Sequence, residues 1–122
     1  MACNAERENT DEEPSFDIAA LEAEYADDPD ILEEIFSIFL EEAPQRLQML
    51  RGGIAEENAA AVKKAAHSLA NICGTLMAER ALSLARATEA AARDEDIGEM
   101  RACAEPLSAE VEQMIGQIRR RN

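Results

Sequence analysis

The stretch EENAAAVKKAAHSLANICGTL, residues 56–76, decides the fold. Val62, Ala65, Ala66, Leu69, Ile72, Cys73 and Leu76 recur through it at three- and four-residue spacings. That is the buried stripe of an amphipathic helix, and it predicts a helix from Glu56 to Leu76. At about 100° per residue, His67 falls almost opposite the stripe and is expected to face solvent. Its neighbours one and two turns away are Ala60, Lys63, Lys64, Ala70, Asn71 and Gly74.

The same period continues on both sides. Upstream, a helix is predicted over Pro29–Arg51, with Asp28 as its cap and Pro29 at its first position. Leu32, Ile35, Phe36, Phe39, Ala43, Leu47 and Leu50 form its core stripe, and Ile31, Ile38 and Met49 a narrower apolar flank. Pro44 is expected to kink this helix, and the glycines at 52–53 to close it. Before it, "DIAALEAEYA" predicts a short helix with Asp17 as N-cap. Downstream, helices are expected over Ala78–Arg93 and Asp96–Arg120, separated by "DED". The last carries an unbroken seam of Ile97, Met100, Ala104, Leu107, Val111, Met114 and Ile118, with a bend expected at Pro106. No segment alternates as a strand would. The expected fold is all-α: an antiparallel four-helix bundle with a short additional N-terminal helix, over residues 16–122. Residues 1–15, acidic and aperiodic, read as a flexible tail.

Bulk properties narrow the function. The 122 residues suffice for one domain with a real core. A net charge of −14 argues against nucleic acid and anionic membranes, which select basic surfaces. No apolar run approaches the ~20 residues of a membrane span, and no hydrophobic leader is visible. A cytoplasmic, monomeric protein is expected. Cys3, Cys73 and Cys103 are odd in number and lack metal-type spacing, so unpaired thiols are expected.

His67 is the only histidine, and Lys63 and Lys64 are the only lysines. A general base would want a cleft and an orienting carboxylate, and a convex helix face supplies no cleft. A metal site would need partners, and the residue three before His67 is Lys64, not the Glu of a Glu-x-x-His pair. Nucleophilic attack on a phosphoryl group held by another protein needs neither. It needs a neutral ring nitrogen, open access, and nearby cations for the phosphate, which Lys63 and Lys64 supply. The small residues Ala60, Ala70 and Gly74 leave a low platform around the ring. With Ile38, they are the expected docking surface for a partner.

These residues resemble a family. "AHSLANICGTLMA" is similar to the phosphohistidine motif of histidine-containing phosphotransfer (HPt) domains, roughly A-H-[ST]-L-K-G-x-x-x-x-[IL]-G-A. "ALSLARATEAAAR" resembles the family's following segment, with Ala85, Glu89, Ala92 and Arg93 in the expected places. "FLEEAPQRLQML" resembles its second helix. The resemblance covers about residues 29–95 by motif. It implies a phosphorelay intermediate of two-component signalling, with His67 as phosphoacceptor. The donor would be a receiver-domain aspartyl phosphate or a hybrid or other sensor histidine kinase, and the acceptor a response-regulator receiver domain. Such a chain is no enzyme and carries no kinase machinery. It needs no cofactor of its own, Mg2+ being expected on the receiver. Three positions depart from the motif: the family's Lys is Ala70 here, the Gly after it is Asn71, and a second Gly is Met77. Asn71 can donate a hydrogen bond to phosphate, and Lys64 sits at the opposite helical offset from the absent lysine. The departures also fit an alternative, a non-transferring adaptor that docks a receiver or kinase.

Overall fold

The computed structural model describes residues 16–121, so the expectation of a flexible tail over 1–15 lies outside the described residues. Five helices follow one another: α1 (Ile18–Glu24), α2 (Pro29–Ala55), α3 (Ala59–Thr75), α4 (Glu79–Arg93) and α5 (Ile97–Arg120). Helices α2 to α5 form the antiparallel bundle, and no strand occurs among the described residues. Asp17, Asn58 and Asp96 cap α1, α3 and α5, each accepting from a backbone N–H three residues on. Asp28 occupies the cap position of α2, but its side chain makes no capping bond. No helix among the described residues is long and apolar enough to cross a membrane.

Three tight turns share one design. Glu57, Met77 and Glu95 each have a φ near +56° (55°, 58° and 56°), immediately after the ends of α2, α3 and α4. The next residue donates its N–H back into the helix: Asn58 to Gly53, Ala78 to Cys73 and Asp96 to Ala91, at 2.8–3.1 Å. That residue then starts the following helix. These are Schellman closures made without glycine. They move two expected boundaries. α3 begins at Ala59 because Glu56 and Glu57 belong to the turn. α2 passes through the glycine pair and ends at Ala55. A Cβ on Gly53 would stand 2.9 Å from Val62 Cγ2 and 3.1 Å from its backbone N. Gly53 serves the close approach of α3, not helix termination. Pro44 and Pro106 lie within α2 and α5, and neither ends its helix.

The predicted stripes form one core, with corrections at its edge. Ile35, Ile72 and Ile97 are only partly buried, packed against the core from its margin. Ile31, Ile38 and Met49 are exposed. Phe16 and Leu21 tie α1 to the bundle, and Gln117 donates to the Phe16 carbonyl at 2.7 Å. Arg121 bonds Glu22 and Glu33, both at 2.9 Å, and lies 4.8 Å over the Phe36 ring. Among the described residues one charge is fully inside: Glu110 on α5 is 1% exposed and pairs with Arg80 on α4 at 3.2 Å. Burial, and secondarily the Glu110 carboxylate, push the neighbouring Cys73 thiol up to about 12, so it is an inert packing group at neutral pH. Cys73 is a free thiol. Cys103 is disulfide-bonded, which corrects the expectation of unpaired thiols for that residue. Pairing depends on approach in space, which spacing along the chain does not report.

Candidate functional site

His67 stands on the middle of α3 with its side chain 62% exposed. Its Nδ1 lies 3.0 Å from Glu89 Oε2 on α4, and that carboxylate is only 16% exposed. An ionised carboxylate can only accept a hydrogen bond, so in the neutral ring Nδ1 bears the proton and Nε2 carries the lone pair. The bond fixes both the tautomer and the ring orientation. Nε2, across the ring from Nδ1, is left on the side away from Glu89.

The antiparallel packing of α3 with α4 makes this pair. His67 and Glu89 stand equally far, eleven residues, on either side of Ala78, the turn residue that starts α4. The same register sets Leu82 beside Gly74, where an added Cβ would meet the leucine methyls at 3.9 Å. On the opposite flank α3 faces α2. There Ser68, the residue after His67, accepts a 2.8 Å hydrogen bond from Arg46 Nε.

Around the ring, Lys63, Lys64, Asn71 and Ala60 are all exposed on the His67 face of α3. Helical geometry separates them: Lys64 and Asn71 lie about 60° and 40° from His67 toward α2, and Lys63 about 40° toward α4. Gly74 is half-buried on the same face. Ala70 corrects the expected platform. It is only 7% exposed, because it lies toward α4 and is covered as part of the core. It therefore offers no docking surface. Ile38 is exposed on α2, but not beside the ring. Arg46 faces Ser68, so Ile38, eight residues earlier, lies about 12 Å further along, toward the C-terminal end of α3.

Two residues of the site were not assigned a role from sequence. Glu89 is legible in the sequence only as a position matching a family segment, and helical phase on α3 alone points to no carboxylate beside the ring. The neighbouring helix supplies it without a cleft. Equal spacing about the turn at Ala78 was the available signal. Arg46 had the same kind of signal, since it and Ser68 stand eleven residues on either side of Glu57 in the turn between α2 and α3. Met77 also gains an explanation. It holds the left-handed turn position, where glycine is the natural residue, so the motif's second glycine is a turn requirement.

The model of the Hpt domain family matches residues 34–121, most of the chain. No curated protein and no solved structure matches it. The helical bundle, the exposed histidine on its third helix and the family match agree, and the chain belongs to the Hpt domain family, the histidine phosphotransfer modules of two-component phosphorelays.

Proposed function

We propose that this chain is a phosphorelay intermediate. His67 takes a phosphoryl group from a receiver-domain aspartyl phosphate, or from a histidine kinase, and passes it to a response-regulator receiver domain. The observation that carries this reading is the exposed imidazole whose Nδ1 is held by Glu89 at 3.0 Å. In the accepting step the Nε2 lone pair forms an N–P bond. The P–O bond to the donor aspartate breaks, and its electron pair leaves on the aspartate carboxylate. The ring keeps its Nδ1 proton and becomes cationic, and the Glu89 carboxylate stands against that new charge. Transfer onward reverses these steps with a second aspartate. Lys64 and Asn71, on the side of Nε2, hold phosphoryl oxygens, and Lys63 adds positive charge from the α4 side. Gly74 and Ala60 keep the approach low. The chain needs no cofactor of its own, and the magnesium of the reaction belongs to the receiver.

Incubation with a labelled phospho-receiver should transfer acid-labile, base-stable label to this protein. His67→Gln should abolish labelling while leaving helix content and Tm nearly unchanged, since an exposed polar substitution shifts stability by less than ~0.5 kcal/mol. Large unfolding would show a structural histidine instead. Lys64→Ala should slow transfer more than Lys63→Ala.

The second reading, a docking module without transfer, is favoured by Ala70 and Asn71 at the motif's Lys and Gly positions. It expects receiver binding with no label on His67.

A further inference from the structure

We propose that Arg46, tethered to Ser68, is a phosphate-binding residue that meets the phosphoryl group arriving at or leaving His67. The proposal rests on the phosphotransfer reading and deepens it. Arg46 reaches the site from α2, with Nε donating to Ser68 Oγ at 2.8 Å and one terminal nitrogen 3.8 Å from Met49 Sδ. Sulfur is a weak acceptor, and a guanidinium has five N–H donors, so most of its donor capacity is unspent. Among the described residues, no carboxylate lies within ion-pairing distance of Arg46. In a chain with 26 acidic and 12 basic residues, that leaves a full positive charge where neutralising partners are plentiful.

The tether matters as much as the charge. Ser68 is neutral, so it fixes the side chain without cancelling its charge. A guanidinium bond to a neutral hydroxyl is also weaker than one to a phosphate dianion, where both partners are charged, so an incoming phosphate can compete for the guanidinium. The direction fits too. Glu89 holds the ring from the α4 side, leaving Nε2 on the side away from it, while Ser68 and Arg46 stand on the α2 side. The position of the family's lysine is Ala70, which is covered by the core and contributes no cation. Arginine's planar fork suits phosphate oxygens better than a point charge does.

The test uses phosphoramidate, a small donor that needs no protein docking, beside a labelled phospho-receiver. With phosphoramidate, His67 Nε2 forms the N–P bond while the donor's own P–N bond breaks and ammonia leaves with that electron pair. Arg46→Gln should raise the half-saturating phosphoramidate concentration about tenfold, the scale of one lost charge-assisted hydrogen bond, with a weaker salt dependence. Arg46→Lys should stay within about threefold of the unmodified protein, and Ser68→Ala should fall between, since the charge remains but its tether is gone. Circular dichroism and Tm should not move. If Arg46→Gln matches the unmodified protein, the proposal is overturned and the transfer reading stands. It is equally overturned if the loss appears with the receiver alone, which would make Arg46 a docking residue, or if Arg46→Gln and Arg46→Lys fail together with lost helix content. If the unmodified protein takes label from neither donor, both readings fall.

Discussion

The Nδ1 of His67 and the Oε2 of Glu89 lie 3.0 Å apart across 22 residues of sequence. A solvent-exposed imidazole is thereby given one tautomer and one orientation by a carboxylate that is itself largely covered. The site consequently needs no cleft. Glu89→Ala should slow phosphoryl acceptance by about 10- to 100-fold, the scale on which ring-orienting partners act at metal-bound histidines. Glu89→Gln should cost less, because its amide oxygen still accepts from Nδ1. Nitrogen chemical shifts of the His67 ring would report the tautomer directly. An unchanged Nδ1–H population in Glu89→Ala would remove the carboxylate from the mechanism.

Gly74 separates stability from function. It sits within α3 two turns after His67, and an added Cβ finds only the Leu82 methyls at 3.9 Å. Gly74→Ala should therefore stabilise the fold by up to ~1 kcal/mol. If a receiver crosses this surface, the same change should slow transfer from a phospho-receiver and leave phosphoramidate labelling untouched. Equal rates from both donors would place the docking surface elsewhere.

The three glycine-free turns predict gains. Met77, Glu57 and Glu95 occupy left-handed backbone. Such a conformation strains an L-residue by roughly 1–2 kcal/mol, partly offset by the greater freedom of glycine in the unfolded chain. Met77→Gly should raise stability by up to ~1 kcal/mol in denaturant titrations, as should the same change at Glu57 or Glu95. A loss at all three would contradict the closure geometry.

The buried pair of Arg80 and Glu110 predicts a loss. Arg80→Ala removes a cation from beside a carboxylate that is 1% exposed, and should cost up to about 3 kcal/mol. Adding Glu110→Leu to Arg80→Ala should recover part of that cost, because a buried charge is removed with its partner. A further fall in Tm would mean that Glu110 contributes mainly through its other contacts.

Cys73 predicts an alkaline edge. Its thiol is raised from 9.0 to about 12 in the folded protein. Below pH 9 both states keep the proton, and the contribution to stability is fully present. Between pH 9 and about 12 the unfolded chain releases the proton while the folded chain retains it, so stability falls across that window. Denaturant midpoints should therefore drop more steeply above pH 9 in the natural sequence than in Cys73→Ala. Parallel slopes would assign the alkaline loss to other groups.

The sequence by itself determined the helices, the stripes that bury them and the side of α3 on which His67 stands. Those are consequences of the 3.6-residue period, which is local and readable from residue spacing. Even Asp17 announced its helix start, because a cap bonds only three residues away. Tertiary structure alone decided what stands beside the histidine. Glu89 reaches Nδ1 because the Ala78 turn folds α4 back in one register, and Arg46 reaches Ser68 because Gly53 lets α2 and α3 close tightly. The same packing hid Ala70, which helical phase placed near the surface, and enclosed the Glu110 carboxylate. A side chain's angle around its own helix is fixed locally. Whether that angle meets water, a carboxylate or a neighbouring helix depends on interhelical register and distance, and those are set by residues far away in the chain.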